Sequence, residues 1–335
     1  MKVLVTGATG FLGGRLARSL VEDGHEVTGL GRGEEAGRRL ERDGIRFIRT
    51  ELGDAEAVNR AVSGGFDIAL HCGAHSASWG RDADFWTANV TGTANIAQAC
   101  LLAGVSRLVH VSTPSLCFGT GERLGVRETD PLPAKQISAY ARTKLLAERE
   151  IDRARRAGLR TLVIRPRALY GPGDRSILPR LIEANRQTGV PFIGGGRALI
   201  DLTYVDDAVQ ALKLAAFAPN ETPGSLYHVS GGAPIAFEDA AERLFAKLER
   251  PLRIKKLPFA AAYAAASVME TAARLRPSGG EPMLTRALVG MLGSSQTLDI
   301  GAAREKLGYK PLVGIEEGLD RFVEWYKAQE GGSID

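Results

Sequence analysis

Tyr140 and Lys144, four positions apart, form the pair in this sequence that is best suited to proton transfer. Positions i and i+4 share one face of a helix, so a phenol and an ammonium group there can serve one site. Proton exchange near neutral pH requires the tyrosine pKa to fall by about 3 from about 10, which corresponds to about 4 kcal/mol. A single cation about 4 Å away supplies about 4 kcal/mol at an effective dielectric of about 20. The spacing therefore predicts an acid–base pair in which the lysine lowers the tyrosine pKa; an unrelated surface tyrosine and lysine is the alternative.

A hydroxyl at the end of a central strand would complete this chemistry. Ser112, Thr113 and Ser115 all follow the apolar run at 108–111. A hydroxyl there can hydrogen-bond a substrate oxygen and stabilise the negative charge that develops on it. The same hydroxyls could instead cap a turn before Pro114. We expect at least one of them to act in catalysis.

The glycine-rich stretch at residues 7–13, Gly-Ala-Thr-Gly-Phe-Leu-Gly, directly follows the apolar run at 2–6. With a helix expected from Arg15 onward, this is the strand, turn and helix that open a dinucleotide-binding fold. Glycines let the backbone approach a pyrophosphate, and a helix N-terminus offers free N–H groups and a partial positive charge. A glycine-rich turn without a ligand is the alternative. The cofactor contacts predicted in this loop are Gly7, Gly10, Phe11, Leu12 and Gly13.

The end of the second predicted strand, at residues 29–32, bears on the choice of cofactor. Sites that prefer NAD place an acid there, which binds the ribose hydroxyls of the adenosine. Here no carboxylate occupies that place, and Arg32 follows the strand. A guanidinium can hold a 2′-phosphate through paired hydrogen bonds, which predicts NADP, with NAD still possible. In the alternative, Arg32 is a solvated turn residue and Glu34 or Glu35 holds the ribose.

Short apolar runs alternate with helical patterns along most of the chain. The runs lie near 2–6, 26–30, 45–49, 67–72, 107–112, 160–165 and 226–229, and clear helical patterns lie at 84–103 and 137–157. This alternation predicts an α/β fold, namely a Rossmann-type doubly wound parallel sheet with helices on both faces. Ligands then bind at the carboxyl ends of the strands.

The alternation weakens after residue 170, which predicts a second lobe. We assign residues 1–170 and about 198–232 to the dinucleotide-binding domain. Residues of about 171–197 and 233–312 are expected to form a smaller mixed α/β substrate-binding lobe, and 313–335 a C-terminal helix and tail. The chain is expected to cross between the lobes more than once.

Composition excludes several classes of function. The 335 residues carry a net charge of +4, but the arginines are interspersed with acids, so no nucleic-acid-binding stripe is predicted. Three separated cysteines and five scattered histidines have no metal-ligand spacing, and no metal site is expected. The first strand begins at residue 2, which leaves no room for a signal peptide, so a cytoplasmic location is expected.

An alanine-rich helix is predicted at about 258–274. It is shorter than the roughly 20 apolar residues that a membrane span needs. Lys255 and Lys256 before it, and Arg274 and Arg276 after it, would permit peripheral contact with a membrane. Burial of this helix against the core or the substrate pocket is the favoured alternative.

Several motifs together resemble the extended short-chain dehydrogenase/reductase family over nearly the whole chain. Besides Tyr140 and Lys144, they are the cofactor loop Thr6 to Gly13, the Asn-Val-x-Gly-Thr segment 89–93, the Arg-Pro to Tyr-Gly-Pro-Gly segment 165–173, and the segments 204–207 and 307–311. Aligning residues 112–118 with the family's Ser-Ser/Thr-x-x-Val-Tyr-Gly implies Thr113 as the catalytic hydroxyl, with Ser112 or Ser115 as alternatives. Cys117 and Phe118 depart from the Tyr-Gly of that pattern.

The resemblance also implies further contacts with the cofactor. Glu51 and Leu52 stand where the family has its Asp-Leu adenine contact, and Asp54 just after them is expected to cap the next helix. Residues 72–74 follow the fourth strand and should line the cofactor, with Cys72 as a small apolar residue. The further predicted contacts are Glu51, Leu52, Cys72, Gly73, Ala74, Ser112, Tyr140, Lys144, Pro166 and Ala168, with Lys144 holding the ribose.

The expected substrate is hydrophobic because the lobe that should cover it is apolar. Trp79, Ser115 and Tyr263 are the predicted substrate contacts, and residues 200–202 lack the arginine that sugar epimerases often carry. The Ser-Thr-Pro-Ser, Trp-Gly and 280–286 patterns are similar to the 3β-hydroxysteroid dehydrogenase-like branch, which includes the 2-alkyl-3-oxoalkanoate reductases.

This resemblance implies an NADP-dependent oxidoreductase that interconverts a secondary alcohol and a ketone by hydride transfer, with Tyr140 as acid and base. The family also implies a homodimer through the helices near 84–103 and 137–157. A nucleotide-sugar epimerase or dehydratase and a non-catalytic NADP-binding regulator are the alternatives.

Overall fold

The computed structural model describes residues 1–217, 225–275 and 280–331, and strands and helices are numbered along the chain. The strands are β1 (Lys2–Thr6), β2 (Glu26–Gly31), β3 (Arg46–Arg49), β4 (Ile68–His71), β5 (Arg107–Val111), β6 (Arg123–Val126), β7 (Thr161–Pro166), β8 (Leu169–Tyr170), β9 (Val190–Ile193), β10 (Leu199–Ile200), β11 (Thr203–Tyr204), β12 (Leu226–Val229), β13 (Ile235–Ala236), β14 (Ile254–Leu257) and β15 (Gln296–Leu298). The α-helices are α1 (Phe11–Glu22), α2 (Glu34–Arg42), α3 (Ala55–Val62), α4 (Asp82–Phe85), α5 (Gly92–Leu102), α6 (Ala139–Arg156), α7 (Leu178–Gln187), α8 (Val205–Phe217), α9 (Phe237–Lys247), α10 (Phe259–Leu275), α11 (Arg286–Gly293), α12 (Gly301–Leu307) and α13 (Ile315–Gly331). A π-helical segment, Trp86–Thr91, joins α4 to α5, and 3-10 turns lie at Pro114–Cys117 and Gly194–Gly196.

The large sheet confirms the predicted doubly wound fold. Its strand order is β12-β7-β5-β4-β1-β2-β3, and the paired strands are all parallel. The strand order reverses beside β1, where Val5 pairs with Gly29 of β2 on one side and with Leu70 of β4 on the other. Ligands of such sheets bind at this reversal, outside the carboxyl ends of the strands. All seven predicted apolar runs correspond to strands of this sheet.

The central strand explains why this sheet is covered on both faces. Val3, Leu4 and Val5 have no exposed surface. Val3 and Val5 belong to one hydrophobic cluster and Leu4 to the other, as expected when successive side chains point to opposite faces. A strand buried on both faces has a continuous apolar sequence, which is why β1 does not show the alternation of a surface strand.

A second sheet draws its strands from both predicted domains. Its order is β13-β10-β15-β6, with β10 antiparallel to β13 and parallel to β15. β6 and β10 lie in the ranges assigned from sequence to the dinucleotide-binding domain, yet they pair with strands of the other range. Short strands such as these form through distant partners, which local sequence does not indicate. The division into lobes at these residues stays a prediction.

The sequence prediction that α1 begins at Arg15 was wrong, because the helix begins four residues earlier, at Phe11. The Gly10 N–H donates to the Gly7 carbonyl over 2.9 Å, and the Gly14 N–H donates to the Gly10 carbonyl over 2.9 Å. The glycine turn therefore merges directly into the first helical turn. The predicted cap on α3 is confirmed, because the Asp54 carboxylate accepts the Ala57 N–H over 3.0 Å.

The alanine-rich helix is present as α10. No helix in the described parts of the chain combines the length and the hydropathy needed to cross a bilayer. Arg276, one of the basic residues named above, lies outside the described residues, as do 218–224 of the first domain and 332–335 of the tail.

Candidate active site

The glycine turn between β1 and α1 leaves no space for side chains. Gly7 has a φ of +66°, and a Cβ on it would lie 2.7 Å from the Gly73 nitrogen. A Cβ on Gly13 would lie 2.7 Å from the carbonyl carbon of Gly7. Gly10 caps α1 without a side chain, and the first turn carries no acid, so the first N–H groups of the helix have no capping side chain. A backbone cradle at an uncapped helix N-terminus fits the pyrophosphate of a dinucleotide.

The loop after β4 lies against this turn. The Gly73 N–H donates to the Thr6 hydroxyl over 3.0 Å, and a Cβ on Gly73 would lie 2.7 Å from Cδ1 of Leu52. Cys72 is half-buried, and burial raises the pKa of its thiol to about 12, so it is a small apolar residue there. Ala74 and Glu51 are exposed, and Leu52 holds Asn95 through its carbonyl over 2.8 Å.

Arg32 is exposed at the carboxyl end of β2, and no hydrogen bond or ion pair of its side chain occurs among the described residues. Both nearby carboxylates are engaged by other arginines. Glu34 lies 3.5 Å from Arg38 and 3.8 Å from Arg49, and Glu35 pairs with Arg39. The alternative in which Glu34 or Glu35 holds a ribose would require these pairs to break, whereas Arg32 needs no such change.

Thr113 and Tyr140 come together at the carboxyl end of β5. The Thr113 side chain lies close enough to the Tyr140 phenol to oppose the rise of its pKa. The Thr113 hydroxyl also donates to the Ser115 hydroxyl over 3.0 Å and accepts the Ser115 N–H over 3.2 Å. The turn-capping alternative therefore holds for Thr113 at the same time as its contact with Tyr140. Ser138 caps the N-terminus of α6 and thereby sets the position of Tyr140 in its first turn.

Lys144 is almost fully buried one turn along α6. Its ammonium donates to the Val111 carbonyl over 2.7 Å and lies 3.1 Å from Nε2 of His110. Burial lowers the pKa of Lys144 to about 8, partly offset by the carboxylate of Glu148. Glu148 itself forms a buried ion pair of 2.6 Å with Arg165, which gives the arginine of the 165–173 motif a structural role.

The expected lowering of the tyrosine pKa by Lys144 is not found. Burial instead raises the pKa of Tyr140 to about 12, and the hydrogen bond with Thr113 opposes that rise. Desolvation disfavours the phenolate, and the Lys144 ammonium is directed to His110 and the Val111 carbonyl. Tyr140 is therefore a protonated group at neutral pH.

A buried histidine pair lies beneath Lys144. His71 joins the Thr6 hydroxyl over 2.6 Å and the Thr93 hydroxyl over 3.0 Å, and its ring centre lies 5.2 Å from that of His110. Burial lowers the pKa of His71 to about 3 and that of His110 well below its usual range. Both rings are neutral at pH 7, so Nε2 of His110 can accept a hydrogen bond from Lys144.

Asn89 connects the cofactor side to the catalytic helix. Its side chain, in the π-helical segment, accepts the His75 N–H over 2.7 Å and donates to the Thr143 hydroxyl over 3.0 Å. π-Helical turns inside α-helices often occur at functional sites. Through these contacts Asn89 holds the loop after β4 against α6 at Thr143, the residue before Lys144.

Two further observations concern the predicted cofactor contacts at β5 and β7. The Ser112 hydroxyl is buried and has no hydrogen-bond partner among the described residues. Pro166 is buried at the end of β7, and Ala168 has a φ of +43°, a left-handed conformation that alanine rarely adopts. An unpaired buried hydroxyl and a strained backbone at the carboxyl ends of β5 and β7 fit a ligand-binding edge.

The predicted substrate residues lie on different elements. Trp79 is half-buried in the loop after β4, and the guanidinium of Arg274 lies 5.6 Å from its ring centre. Tyr263 on α10 stacks on Phe259 at 6.2 Å and hydrogen-bonds Arg286 of α11. Ser115 lies beside Thr113. The loop after β4 is tied to the α10–α11 connection, because Arg180 contacts both Ser78 and Glu281 at 2.8 and 2.9 Å.

Sequence reasoning missed His110 and the role of Asn89. Asn89 stood in a recognised motif, whereas His110 had only one signal, an imidazole inside an otherwise apolar central strand. Within residues 1–217, 225–275 and 280–331, no group of three or more His, Cys, Asp or Glu side chains could hold a metal ion.

Comparisons with known proteins agree with this geometry. The model of the NAD dependent epimerase/dehydratase family matches residues 3–230. The chain is 39% identical to the 2-alkyl-3-oxoalkanoate reductase of Stenotrophomonas maltophilia (strain K279a), over 96% of this chain and 98% of that protein. It is 33% identical to 3beta-hydroxysteroid-dehydrogenase/decarboxylase isoform 1 of Arabidopsis thaliana, over 92% of this chain and 72% of that protein.

A solved structure shows the same fold. The UDP-glucuronic acid 4-epimerase of Bacillus cereus in complex with NAD superposes with a TM-score of 0.78 at 22% identity, over 98% of this chain and 99% of that one. The family match covers more than half of the chain, and the named relatives match the branch that the sequence motifs resembled. The chain therefore belongs to the NAD dependent epimerase/dehydratase family.

Proposed function

We propose that this NAD(P)-dependent oxidoreductase reduces a ketone on an apolar substrate to a secondary alcohol, with NADP as its preferred cofactor. The observation that carries the proposal is the meeting of the Thr113 side chain with the Tyr140 phenol at the carboxyl end of β5, one helical turn from the buried Lys144. The names of the two relatives, a 3-oxoalkanoate reductase and a hydroxysteroid dehydrogenase, support ketone and alcohol chemistry on hydrophobic molecules.

The cofactor, when bound, supplies the hydride. Thr113 holds the ketone oxygen by a hydrogen bond, and Tyr140 donates its phenolic proton to that oxygen as negative charge develops. The Thr113 hydroxyl stabilises the phenolate that remains. Lys144, whose ammonium keeps a third N–H beyond the two that reach the Val111 carbonyl and His110, adds positive charge to the site. In the reverse direction the phenolate accepts the proton of the alcohol, so the same groups serve oxidation.

The pKa values of the site favour reduction near neutral pH. Tyr140, with its pKa raised to about 12, is almost entirely protonated and is ready to act as an acid. Lys144, with its pKa lowered to about 8, is still mostly charged at pH 7. Ketone reduction is expected to decline as pH rises through about 8, because the neutral amine no longer stabilises the phenolate.

The preference for NADP rests on charge at the end of β2. Arg32 is exposed and has no partner among the described residues, while Glu34 and Glu35 pair with arginines. A free guanidinium attracts a 2′-phosphate, and a paired carboxylate is poorly placed to accept ribose hydroxyls.

Two further features of the protein are proposed. The helices at 84–103 and 137–157 mediate a homodimer, since Trp86 and Leu102 are large exposed apolar residues there. A sedimentation measurement tests this. The location is cytoplasmic, as the three free thiols Cys72, Cys100 and Cys117 suit a reducing compartment.

The function is tested with Tyr140→Phe. The phenylalanine cannot donate the proton, so turnover of a hydrophobic 3-oxo acid with NADPH should fall by at least about 100-fold, a typical contribution of general acid catalysis. NADPH affinity should change little, and Tyr326→Phe on α13 serves as the matched control. Net consumption of NADPH separates a reductase from an epimerase, which regenerates its cofactor. Near-normal turnover by Tyr140→Phe would show that the acid is misassigned, and NADPH binding without turnover of any ketone would favour a regulator.

A further inference from the structure

Helix α10 presents an apolar face to solvent. Nine of its residues are exposed, and seven of these are apolar: Ala260, Ala261, Ala264, Val268, Met269, Ala272 and Leu275. Val268 is 68% and Leu275 81% exposed, values that are unusual for such side chains. The residues at 261, 264, 268, 272 and 275 recur every three or four positions and so form one stripe along the helix.

The carboxylate of α10 does not lie on its exposed face. Glu270 is its only carboxylate and is buried, where it accepts the Arg286 N–H over 2.7 Å and the Arg286 Nε–H over 2.8 Å. An ordinary surface helix buries its apolar stripe and exposes its charges. In α10 the carboxylate is buried together with the small side chains of Ala262, Ala266 and Ala273, and the larger apolar side chains are exposed, which indicates that another apolar surface covers them.

Basic side chains stand at both ends of the stripe. Lys255 and Lys256, just before α10, are exposed, and their side chains form no hydrogen bond or ion pair with any described residue. Arg274 is exposed in the last turn of α10. The large apolar side chains of Ile254 and Met283, on the segments before and after α10, are also exposed.

The chemistry of this surface favours a bilayer over a protein partner. Its exposed helix face carries no carboxylate, and the hydroxyl of its one exposed threonine, Thr271, already donates to the Ser267 carbonyl over 2.9 Å. A protein partner would find almost no hydrogen bonds there, whereas interfaces between proteins normally form about one per 100–200 Å². Acyl chains need none, and anionic head groups complement lysines at the rim.

We propose that the α10 surface, defined as the exposed stripe of α10 with Lys255 and Lys256, docks peripherally on a membrane that contains anionic lipid. A helix of 17 residues is about 25 Å long and would lie in the plane of the interface. Arg274 lies over Trp79, and Tyr263 lies on the same helix, so the docked surface borders the predicted substrate residues. Resting on the proposed function, this surface lets an apolar ketone pass between the bilayer and the active site.

The proposal is tested by co-sedimentation of the full chain with phosphatidylcholine vesicles and with vesicles that also contain phosphatidylglycerol. The chain should bind the anionic vesicles and bind neutral ones several-fold more weakly. Val268→Gln with Leu275→Gln should reduce binding at least tenfold, since two exposed apolar anchors are lost. Lys255→Gln with Lys256→Gln should reduce binding to anionic vesicles about tenfold and leave weak binding to neutral ones unchanged.

The matched control is Leu124→Gln with Leu312→Gln, which removes two leucines elsewhere that are 55% and 69% exposed and should leave vesicle binding unchanged. Absence of binding to either vesicle, or equal losses in the control, would overturn the proposal. So would a change of sedimentation coefficient in the α10 variant without vesicles, because a second copy of the chain would then cover the stripe.

The reductase proposal is tested by a separate activity measurement. Reduction of a short, water-soluble ketone without vesicles should be the same in the α10 variant and the unmodified chain. Vesicle binding without reduction of any ketone would support the docking surface and contradict the proposed function. Reduction of a ketone without vesicle binding would support the proposed function and contradict the docking surface.

Discussion

Burial shifts the pKa values of the two central side chains in opposite directions. It raises the pKa of Tyr140 to about 12 and lowers that of Lys144 to about 8, because a low-dielectric environment disfavours both charged forms. The consequence is a phenol that holds its proton beside an ammonium that can stabilise its loss. Pairs whose environments separate their pKa values are typical of acid–base sites.

Lys144→Met should change how stability depends on pH. The unfolded lysine has a pKa of about 10.4, so the unfolded chain binds more protons than the folded chain between pH 8 and about 10.4, and stability rises with pH across that window. The charged lysine therefore costs about 3 kcal/mol at pH 7. Methionine removes this cost but leaves the Val111 carbonyl unpaired, which costs about 1–3 kcal/mol.

Urea denaturation at pH 7 and pH 10 measures the effect. The rise in the free energy of unfolding should occur in the unmodified chain and be absent in Lys144→Met, whose stability at pH 7 should equal or exceed that of the unmodified chain by up to about 2 kcal/mol. The same rise in both proteins would mean that Lys144 is not the group that titrates.

Arg32→Asp should shift the choice of cofactor. A charged hydrogen-bonding pair contributes about 1.5–3 kcal/mol, so the ratio of kcat/KM for NADPH to that for NADH should fall by about 10- to 100-fold. Arg46→Asp is the matched control, since Arg46 is exposed at the opposite, amino end of a neighbouring strand. An unchanged ratio would mean that Arg32 is a solvated turn residue and does not contact the cofactor.

Among the elements, the junction of β1 and α1 combines close packing with an uncapped helix end. Gly7 and Gly13 are in contact through backbone atoms, and no side chain competes for the first N–H groups of α1. The local sequence suffices for this motif because all its parts lie within 13 residues. The start of the helix at Phe11 places those N–H groups closer to β1 than the sequence prediction did.

Gly13→Ala should separate these elements. The new methyl group would overlap the carbonyl of Gly7, so α1 or the loop must move, which costs about 1–3 kcal/mol of stability. The affinity for NADPH, measured by fluorescence titration, should fall about tenfold or more. Gly33→Ala, whose Cβ would lie 3.7 Å from Ala36, should leave both quantities nearly unchanged. Equal effects of the two substitutions would mean that the close packing at Gly13 is not required for NADPH binding.

In the whole molecule, the C-terminal helix closes against the segment that follows β7. Gly318 of α13 faces Tyr170, whose ring is buried and stands edge-on to Tyr204 at 5.6 Å. A Cβ on Gly318 would lie 2.8 Å from Cζ of Tyr170. α13 therefore supports the strand end that carries Pro166 and Ala168.

Gly318→Ala should destabilise the molecule without touching the catalytic residues. The overlap with Tyr170 should lower the free energy of unfolding by about 1–3 kcal/mol, or the melting temperature by about 2–4 °C per kcal/mol. Gly314→Ala, with open space around its Cβ, should leave the melting curve in place. A neutral Gly318→Ala would mean that α13 packs less closely than the contact implies.

The sequence by itself determined the elements whose evidence is local. The strands of the large sheet, the glycine turn, the cap at Asp54 and the helix that carries Tyr140 and Lys144 all follow from periodicity and spacing over a few residues. Rules of that range suffice because one strand or one helical turn involves only adjacent positions.

Only the tertiary structure decided which groups meet across the chain. The contact of Lys144 with His110, the pairing of β6 with β15 and the 3.8 Å ion pair of Glu34 with Arg49 join positions that local patterns do not relate. The same holds for α10, whose apolar composition was evident from sequence. Its face became exposed because Glu270 is held inward by Arg286, 16 positions away, and burial of a charge requires a partner that only the folded chain supplies.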